Sequence, residues 1–239
     1  RDALCQSEGS THRRIHYREI WLMRDLFVGQ LERLTYEIVE MGGICEEAIQ
    51  KGSEALLSGD AALAQETLKY EKMLDDKEYA IDALCASLIL QQQPVAGDYR
   101  LIATASKIVG NLARVGIQAV DICEIVLRKD NAGKKVEIEY FADLAKSTRR
   151  MLRDVLNAYE TKDVGLARDV MAYDDTVDEF FHKTKNNLAE LLKNAGDDSA
   201  ATDYVLDLLM VDKYYERIGD HIVKIAEAVE YYVTNQVVK

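Results

Sequence analysis

The chain has 239 residues and a formal net charge of −12, which argues against a nucleic-acid partner because phosphate binding needs clustered Lys and Arg. A single proline and thirteen glycines leave few places where a helix has to break, so the composition argues against the sheet classes. The longest apolar runs fall far short of the roughly eighteen residues that a membrane-spanning helix needs, which excludes a span.

Residues 1–22 are expected to form an N-terminal extension of uncertain origin, ahead of the first convincing helix. They contain no apolar core of the kind that secretory signal peptides carry. The four cysteines of the chain are scattered, with no Cys-x-x-Cys pair, so neither a disulfide framework nor a zinc site is predicted. A reducing cytoplasm is the expected location.

Six helical segments follow in chain order, separated by short turn signals. They are predicted at about 25–57, 61–90, 99–127, 136–159, 164–192 and 200–233. Four aspartates stand where they would cap the helices that they precede: Asp60, Asp98, Asp163 and Asp198. Because connections this short join antiparallel neighbours, the expected fold is all-α and built from helical bundles.

The third and sixth segments carry the same apolar stripe, displaced by 103 residues. The stripe is typical of helix packing rather than of a cofactor site. Its paired positions are Ala105 and Leu208, Ile108 and Val211, Leu112 and Tyr215, Val115 and Ile218, Ala119 and Ile222, Ile122 and Ile225, and Val126 and Val229. A tandem duplication explains this, with three-helix bundles at 23–131 and 132–239. The same comparison pairs Glu78–Asp82 on the second segment with Asp174–Asp178 on the fifth.

Acidic residues form a row beside the stripe of the sixth segment. Asp212, Glu216 and Asp220 step by four, and Glu227 lies three turns beyond Glu216, so their side chains share one ridge. Hard cations take oxygen ligands, and a cation would offset the repulsion between these carboxylates. The alternative is that the acids are solvated residues that keep the chain soluble. Other acidic pairs at this spacing, such as Glu71 and Asp75, are expected to be chance pairs that face solvent.

Two stretches carry a family resemblance. The residues ERIGDH at 216–221, followed by IAE at 225–227, resemble the signature of the PhoU family of phosphate-signalling proteins. The residues EYAID at 78–82, followed by QQPVAGDYR at 92–100, resemble the first repeat of that family. The resemblance covers nearly everything from Met23 to the C-terminus. It implies two tandem, spectrin-repeat-like three-helix bundles whose acidic motifs bind multinuclear metal clusters.

The resemblance implies a metal site in the second bundle, with Asp174, Asp178, Glu216, Asp220 and Glu227 as ligands. The first repeat reads ARVGI at 113–117, where the family carries a second acidic signature, so two ligands are missing. Four acids remain there, and a weak or empty site is expected: Glu78, Asp82, Asp121 and Glu124. The metal is expected to be a divalent or trivalent ion such as Fe, Zn, Mn or Mg. Lys224 replaces the usual asparagine of the family, and we expect it to pair with Asp220 or Glu227.

The family resemblance also implies the partners and the role. The expected function is to restrain phosphate uptake through the phosphate ABC transporter, the Pst system, and its sensor histidine kinase. The chain is expected to be a homodimer and not an enzyme, with no nucleic-acid partner and with membrane contact only through protein partners.

Two other functional classes remain open. Glu179 and His182 match the Glu-x-x-His pair of carboxylate-bridged di-iron bundles, which would make the chain a metalloenzyme or a ferritin-like metal-handling bundle. That fold needs two such pairs and only one exists, so His182 is expected at the surface. His221, next to Asp220, is expected to be a neighbour of the site and stays a candidate ligand. The third class is a plain helical scaffold with solvated acidic faces.

Overall fold

A computed structural model describes residues 5–92, 94–128, 131 and 140–236, and the side chains from residue 24 onward except for 91–93, 129–130 and 132–139. These ranges contain α-helices and no strand. The helices are α1 (Cys5–Ser58), α2 (Ala61–Thr67), α3 (Lys69–Gln92), α4 (Ala96–Leu127), α5 (Tyr140–Thr161), α6 (Val164–Ala195) and α7 (Ser199–Thr234). None of them, over the residues described, is long and apolar enough to cross a membrane.

The expected all-α architecture of two tandem three-helix units is confirmed. In the first half α1 and α4 pack against each other and against the interrupted second helix, α2 and α3, while in the second half α5, α6 and α7 pack together. All seven paired positions of the apolar stripe are buried in both halves. Burial of a continuous apolar stripe on each long helix is the main source of stability for a bundle of this kind.

The two halves meet through helices that the repeat relates to each other. The helix α4 packs against α7, and α1 packs against α5. At this joint the Tyr215 hydroxyl and Ser53 Oγ lie 2.9 Å apart in a buried hydrogen bond. A Cβ on Gly42 would overlap the side chain of Leu156, so α1 and α5 approach closely there. One continuous apolar core runs through both halves.

The helix ends differ from the sequence predictions in three places. The helix α1 begins at Cys5, so it runs back through most of the predicted extension. The predicted segment 61–90 is two helices, because the chain turns at Leu68. The hydroxyl of Thr67 donates to the carbonyl of Leu63 at 2.8 Å, a backbone contact that bends helices. The helix start predicted at 136, and the start of the second bundle predicted at 132, lie outside the described residues.

Three of the four predicted N-caps are confirmed. The carboxylates of Asp60, Asp163 and Asp198 accept backbone N–H groups of the helices that follow them. The prediction for Asp98 is wrong, because α4 begins at Ala96 and is capped by the backbone of Val95. Asp98 lies in the first turn, where a carboxylate still complements the helix dipole, and accepts from Arg24 at 2.8 Å.

The repeat keeps one displacement of 103 residues along its whole length, which corrects the predicted pairing of Glu78–Asp82 with Asp174–Asp178. Leu74 packs against Gly116 in the first half, and Val177 packs against Gly219, the equivalent glycine, in the second. Leu74 and Val177 are therefore equivalent. The true counterparts of Asp174 and Asp178 are Glu71 and Asp75, and the predicted pairing was seven residues out. A shift by seven residues leaves the apolar face in place, which is why the hydrophobic pattern did not expose the error.

Candidate metal centre

The centre of the predicted site is the contact between α6 and α7 at Gly219. Asp174 is half-buried, and its Oδ1 lies 2.6 Å from the point where a Cβ on Gly219 would stand. A Cβ at this position would force the carboxylate of Asp174 to turn away from its present place. The packing of α6 on α7 thus carries the carboxylate of Asp174 against the backbone of α7.

Other carboxylates surround Asp174. Burial and the neighbouring charges raise the pKa of Asp174 to about 6, and the charges belong to Asp178, Asp220, Asp175 and Glu216 in decreasing order. Four of the five predicted ligands therefore lie close enough for the charges of three of them to act on Asp174. A group of like charges without a counter-charge disfavours the ionised form of its most buried member, which is the effect seen here.

Glu227 is the predicted ligand that the structure leaves apart. It is exposed on α7 and lies seven residues beyond Asp220, about 10 Å further along the helix axis. Nor does Lys224 take the predicted role of a counter-charge, since within the described side chains no ion pair joins it to Asp220 or Glu227. The carboxylates around Asp174 thus keep their mutual repulsion.

Glu216 and Asp212 continue the acidic row into the interior of the second half. Lys213 Nζ donates to Glu216 Oε1 at 2.5 Å, while Glu216 Oε2 is buried and has no hydrogen-bond partner. Asp212 is fully buried, and neither of its oxygens has a partner. Burial, reinforced by the charge of Glu216, raises the pKa of Asp212 to about 8, although Lys185 and Lys213 act in the opposite direction.

Asp212 was not predicted as a site residue, although its burial had a signal in the sequence. Its equivalent in the first half is Val109, a buried apolar residue of α4. A charged residue that replaces a buried apolar residue at a repeated position is expected to be buried as well. The row Asp212, Glu216 and Asp220 therefore runs from the interior toward solvent rather than along a uniformly exposed ridge.

The chemistry of these residues fits a hard cation, because all their donor atoms are oxygens and Lys213 is the one cation that pairs with them among the described side chains. Their orientation is less complete. Among the described side chains no group of three or more His, Cys, Asp or Glu is arranged to hold one metal ion. Carboxylates that repel one another turn apart, and a cation would have to draw them together by rotation about side-chain bonds.

The two histidines considered as ligands lie elsewhere. His221 Nδ1 is 3.0 Å from Asn111 Oδ1, a contact that joins α7 to α4 across the two halves. Burial, together with the nearby cations, lowers the pKa of His221. His182 is exposed, as predicted, and Glu179 pairs with Lys183 at 2.5 Å. Neither histidine is directed by these contacts toward the acids at Asp174.

The four acids predicted in the first half fall into two separate groups. Burial, Asp82 and Asp75 raise the pKa of Glu78, and Arg114 lowers it. Asp82 accepts a hydrogen bond from Ser106 at 3.1 Å. This first group therefore lies beside the N-terminal part of α4.

The second group lies toward the other end of α4. Burial, Glu124 and Glu71 raise the pKa of Asp121, and Arg217 lowers it. Fifteen residues separate Asp121 from Ser106, the partner of Asp82, which is about 22 Å along the helix. Glu78 and Asp82 thus lie at a different level of α4 from Asp121 and Glu124, and each group has an arginine nearby.

At the positions equivalent to the site in the second half, the first half keeps only part of the acidic set. Glu71 and Asp75 stand for Asp174 and Asp178, and both are exposed, as was predicted for a pair facing solvent. Ala113 and Ile117 stand for Glu216 and Asp220, so the acids of α7 have no counterparts there.

Comparisons with known proteins agree with this architecture. The sequence model of the protein family described as the PhoU domain matches the chain twice, at residues 38–126 and 141–229. Those two matches are displaced by the same 103 residues that the packing at Gly116 and Gly219 requires.

Relatives resemble the chain over nearly its whole length. A phosphate-specific transport system accessory protein PhoU homolog from Clostridium acetobutylicum is 32% identical over 216 residues, which cover 90% of this chain and 97% of the relative. The phosphate-specific transport system accessory protein PhoU of Escherichia coli is 30% identical and covers 88% of this chain and 86% of the relative. The crystal structure of PhoU from Pseudomonas aeruginosa superposes with a TM-score of 0.78 at 30% identity, covering 88% of this chain and all of that one.

Proposed function

Because this chain belongs to the PhoU family, we propose that it is a regulator of a phosphate-specific transport system that restrains phosphate uptake and acts without catalysing a reaction itself. The observation that carries the proposal is the match of both repeats, together with a relative that matches over 97% of its own length and is named an accessory protein of that system. Its partners are the cytoplasmic components of the phosphate ABC transporter and the sensor histidine kinase that works with it.

The metal-binding part of the proposal rests on the second half. Asp174, Asp178, Glu216 and Asp220 would hold a divalent or trivalent cation, Fe, Zn, Mn or Mg, and Glu227 would join only from a distance. The bound cation supplies positive charge that offsets the repulsion among these carboxylates. Asp174 and Asp178 would contribute ligands from α6, and Glu216 and Asp220 from α7. One shared ion would therefore link the two helices.

A cytoplasmic homodimer is the form in which we expect the protein to act. The acidic surface suits a basic face on a partner, since complementary charge speeds encounter and selects orientation. Contact with the membrane would be made through the transporter. Glu179 pairs with Lys183 and His182 is exposed, so their contacts do not favour a di-iron enzyme.

The test uses cells that lack the gene for this chain, with radiolabelled phosphate uptake and transcription from a phosphate-controlled promoter as readouts. The wild-type chain is expected to lower both when phosphate is plentiful. The variant Glu216→Gln with Asp220→Asn is expected to restore less of this restraint. The matched pair Glu78→Gln with Asp82→Asn in the first half serves as the control and is expected to behave like wild type.

Uptake and transcription that stay the same with and without the wild-type chain would contradict the regulatory proposal. If the Glu216 and Asp220 variant lowers uptake and transcription as fully as wild type, the regulatory proposal stands, but regulation does not depend on the proposed metal ligands. Co-purification of the chain with the transporter ATPase, from cells that express both at native levels, identifies the partner directly.

A further inference from the structure

Four buried oxygen atoms on the facing sides of α6 and α7 have no hydrogen-bond partner. They are Thr184 Oγ1, both carboxylate oxygens of Asp212, and Glu216 Oε2. Thr184 and Asp212 are fully buried. A buried carboxylate without a compensating donor or cation is strongly unfavourable, and such atoms are rare in folded proteins.

These atoms lie at the same level of the helix pair. Val177 on α6 meets Gly219 on α7. Since α6 and α7 run antiparallel, Thr184 and Asp212, each seven residues from that contact in opposite directions, face each other two turns further into the bundle. The charge of Lys185, next to Thr184, acts on Asp212, which independently places the two residues together. Glu216 is one turn from Asp212 on the same face of α7.

The first half fills the equivalent space with hydrocarbon. The residues 103 positions earlier are Ile81, Val109 and Ala113, and all three are buried. At these three equivalent positions the second half therefore has side chains that carry oxygen where the first half has buried apolar ones. An isolated polar substitution would leave a buried group unsatisfied, whereas three oxygen donors at one point form a set of ligands.

We propose that Thr184, Asp212 and Glu216 form a buried site for a hard divalent cation, inside the second bundle and apart from the group around Asp174. Two carboxylates match the charge of a divalent ion, and the hydroxyl adds a neutral oxygen ligand. Lys213 holds Glu216 Oε1 at 2.5 Å and leaves Oε2 for the ion. The site shares Glu216 with the proposed regulatory centre but needs neither Asp174 nor Asp178, so it does not rest on the regulatory function.

The test measures binding of Mn²⁺ by the full-length chain after removal of metal, by titration calorimetry and by electron paramagnetic resonance of the free ion. Asp212→Asn removes one carboxylate at nearly constant volume, and Thr184→Val replaces the hydroxyl with a methyl group. Asp212→Asn is expected to bind one Mn²⁺ fewer per chain than wild type, and Thr184→Val to bind that ion at least tenfold more weakly. Asp169→Asn, an exposed acid on α6, is the control for the charge change and is expected to match wild type.

Wild-type stoichiometry and affinity in both Asp212→Asn and Thr184→Val would overturn the proposal, as would an Asp212→Asn protein that is merely more stable at every Mn²⁺ concentration. Should Asp212→Asn fail to fold, the affinity of Thr184→Val decides alone. The variant Asp174→Asn with Asp178→Asn separates the two sites. If it retains the ion that Asp212→Asn loses, the buried site stands whatever becomes of the regulatory centre.

Discussion

The two halves of the molecule have the same backbone fold, and they differ in the side chains that lie between the second and third helices of each half. In the first half Leu74 packs against Gly116, and the neighbouring positions hold Ile81, Val109 and Ala113. In the second half the equivalent glycine, Gly219, receives the carboxylate of Asp174. The first half therefore fills this space with apolar side chains, whereas the second half fills part of it with a carboxylate.

The difference shows that two copies of one fold need not keep the same residues at equivalent sites. Glycine is retained at both positions, but for a hydrocarbon neighbour in one half and for a carboxylate in the other. The first half lacks the acids of α7, and its core is complete without them. The second half keeps buried oxygens that would lower its stability unless a proton, a water molecule or a cation satisfies them.

The largest expected effect concerns metal. In Glu216→Gln with Asp220→Asn we expect affinity for Mn²⁺ at the Asp174 group to fall at least 100-fold, which removes about 2.7 kcal/mol of ligand-induced stabilisation. Glu78→Gln with Asp82→Asn should keep it, since those acids lie beside Ser106 with Arg114 as a neighbour. Thermal melts at several Mn²⁺ concentrations measure both. Equal losses in the two variants would mean that the halves do not differ in function.

The next effect concerns packing. Here the substitution in the first half is expected to lower the free energy of unfolding more than the one in the second half. Gly116→Ala places a Cβ into the buried side chain of Leu74, and overpacking of this kind costs about 2 kcal/mol. Gly219→Ala displaces the half-buried carboxylate of Asp174, which can turn toward solvent, so we expect a loss below about 1 kcal/mol. Urea unfolding of both variants, without metal, gives the two values. A larger loss for Gly219→Ala would contradict this reading of the two glycines.

A smaller effect concerns pH. The pKa of Asp174 in the folded protein, about 6, lies above its ordinary value of 3.8, so the folded chain binds more protons than the unfolded chain between these values. The metal-free protein should therefore gain stability as the pH falls from 7 to 5. Asp174→Asn should reduce that gain by about 1 kcal/mol, allowing for the partial exposure of this residue. Urea unfolding at pH 5, 6 and 7 in chelator checks this, and an identical slope in the variant would refute it.

The smallest effect concerns the joint between the halves. Tyr215 occupies the position that Leu112 holds in the first half, and its hydroxyl is bonded to Ser53 across the joint. Tyr215→Phe is expected to lose about 0.5–1 kcal/mol, the value of one buried hydrogen bond. Ser53→Ala should lose a similar amount, and the double variant should lose less than the sum of the two. Additive losses would show that the bond contributes nothing.

The sequence was sufficient for the helical content, the duplication and the burial of the repeated stripe, because apolar spacing and turn residues report these features locally. It was insufficient where several answers keep the same apolar face. A shift of the second helix by seven residues is one example, and only the contacts of Gly116 and Gly219 resolve it. The break at Leu68 has neither glycine nor proline to mark it, and the Thr67 hydroxyl contact beside it also occurs at Thr35 and Thr148 in helices that continue.

The acidic centre was predicted only in part for a related reason. Periodicity placed Glu216 and Asp220 on one ridge, the family resemblance added Asp174 and Asp178, and in the structure the charges of the other three act on Asp174. Periodicity alone could not show that the ridge enters the interior at Asp212. For Asp98, an acid three residues inside α4 looks the same in sequence as a cap, although the equivalence of Val95 with Asp198 identifies the true start.

The contacts between the halves have a consequence for assembly. Helix α1 packs on α5, its own repeat, and α4 packs on α7, its own repeat. Such pairing of each element with its copy is the arrangement that a two-fold symmetric dimer produces. A single three-helix unit with this apolar face would leave the face exposed unless a second copy covered it. Joining the two copies in one chain makes that contact intramolecular, so it forms at any protein concentration.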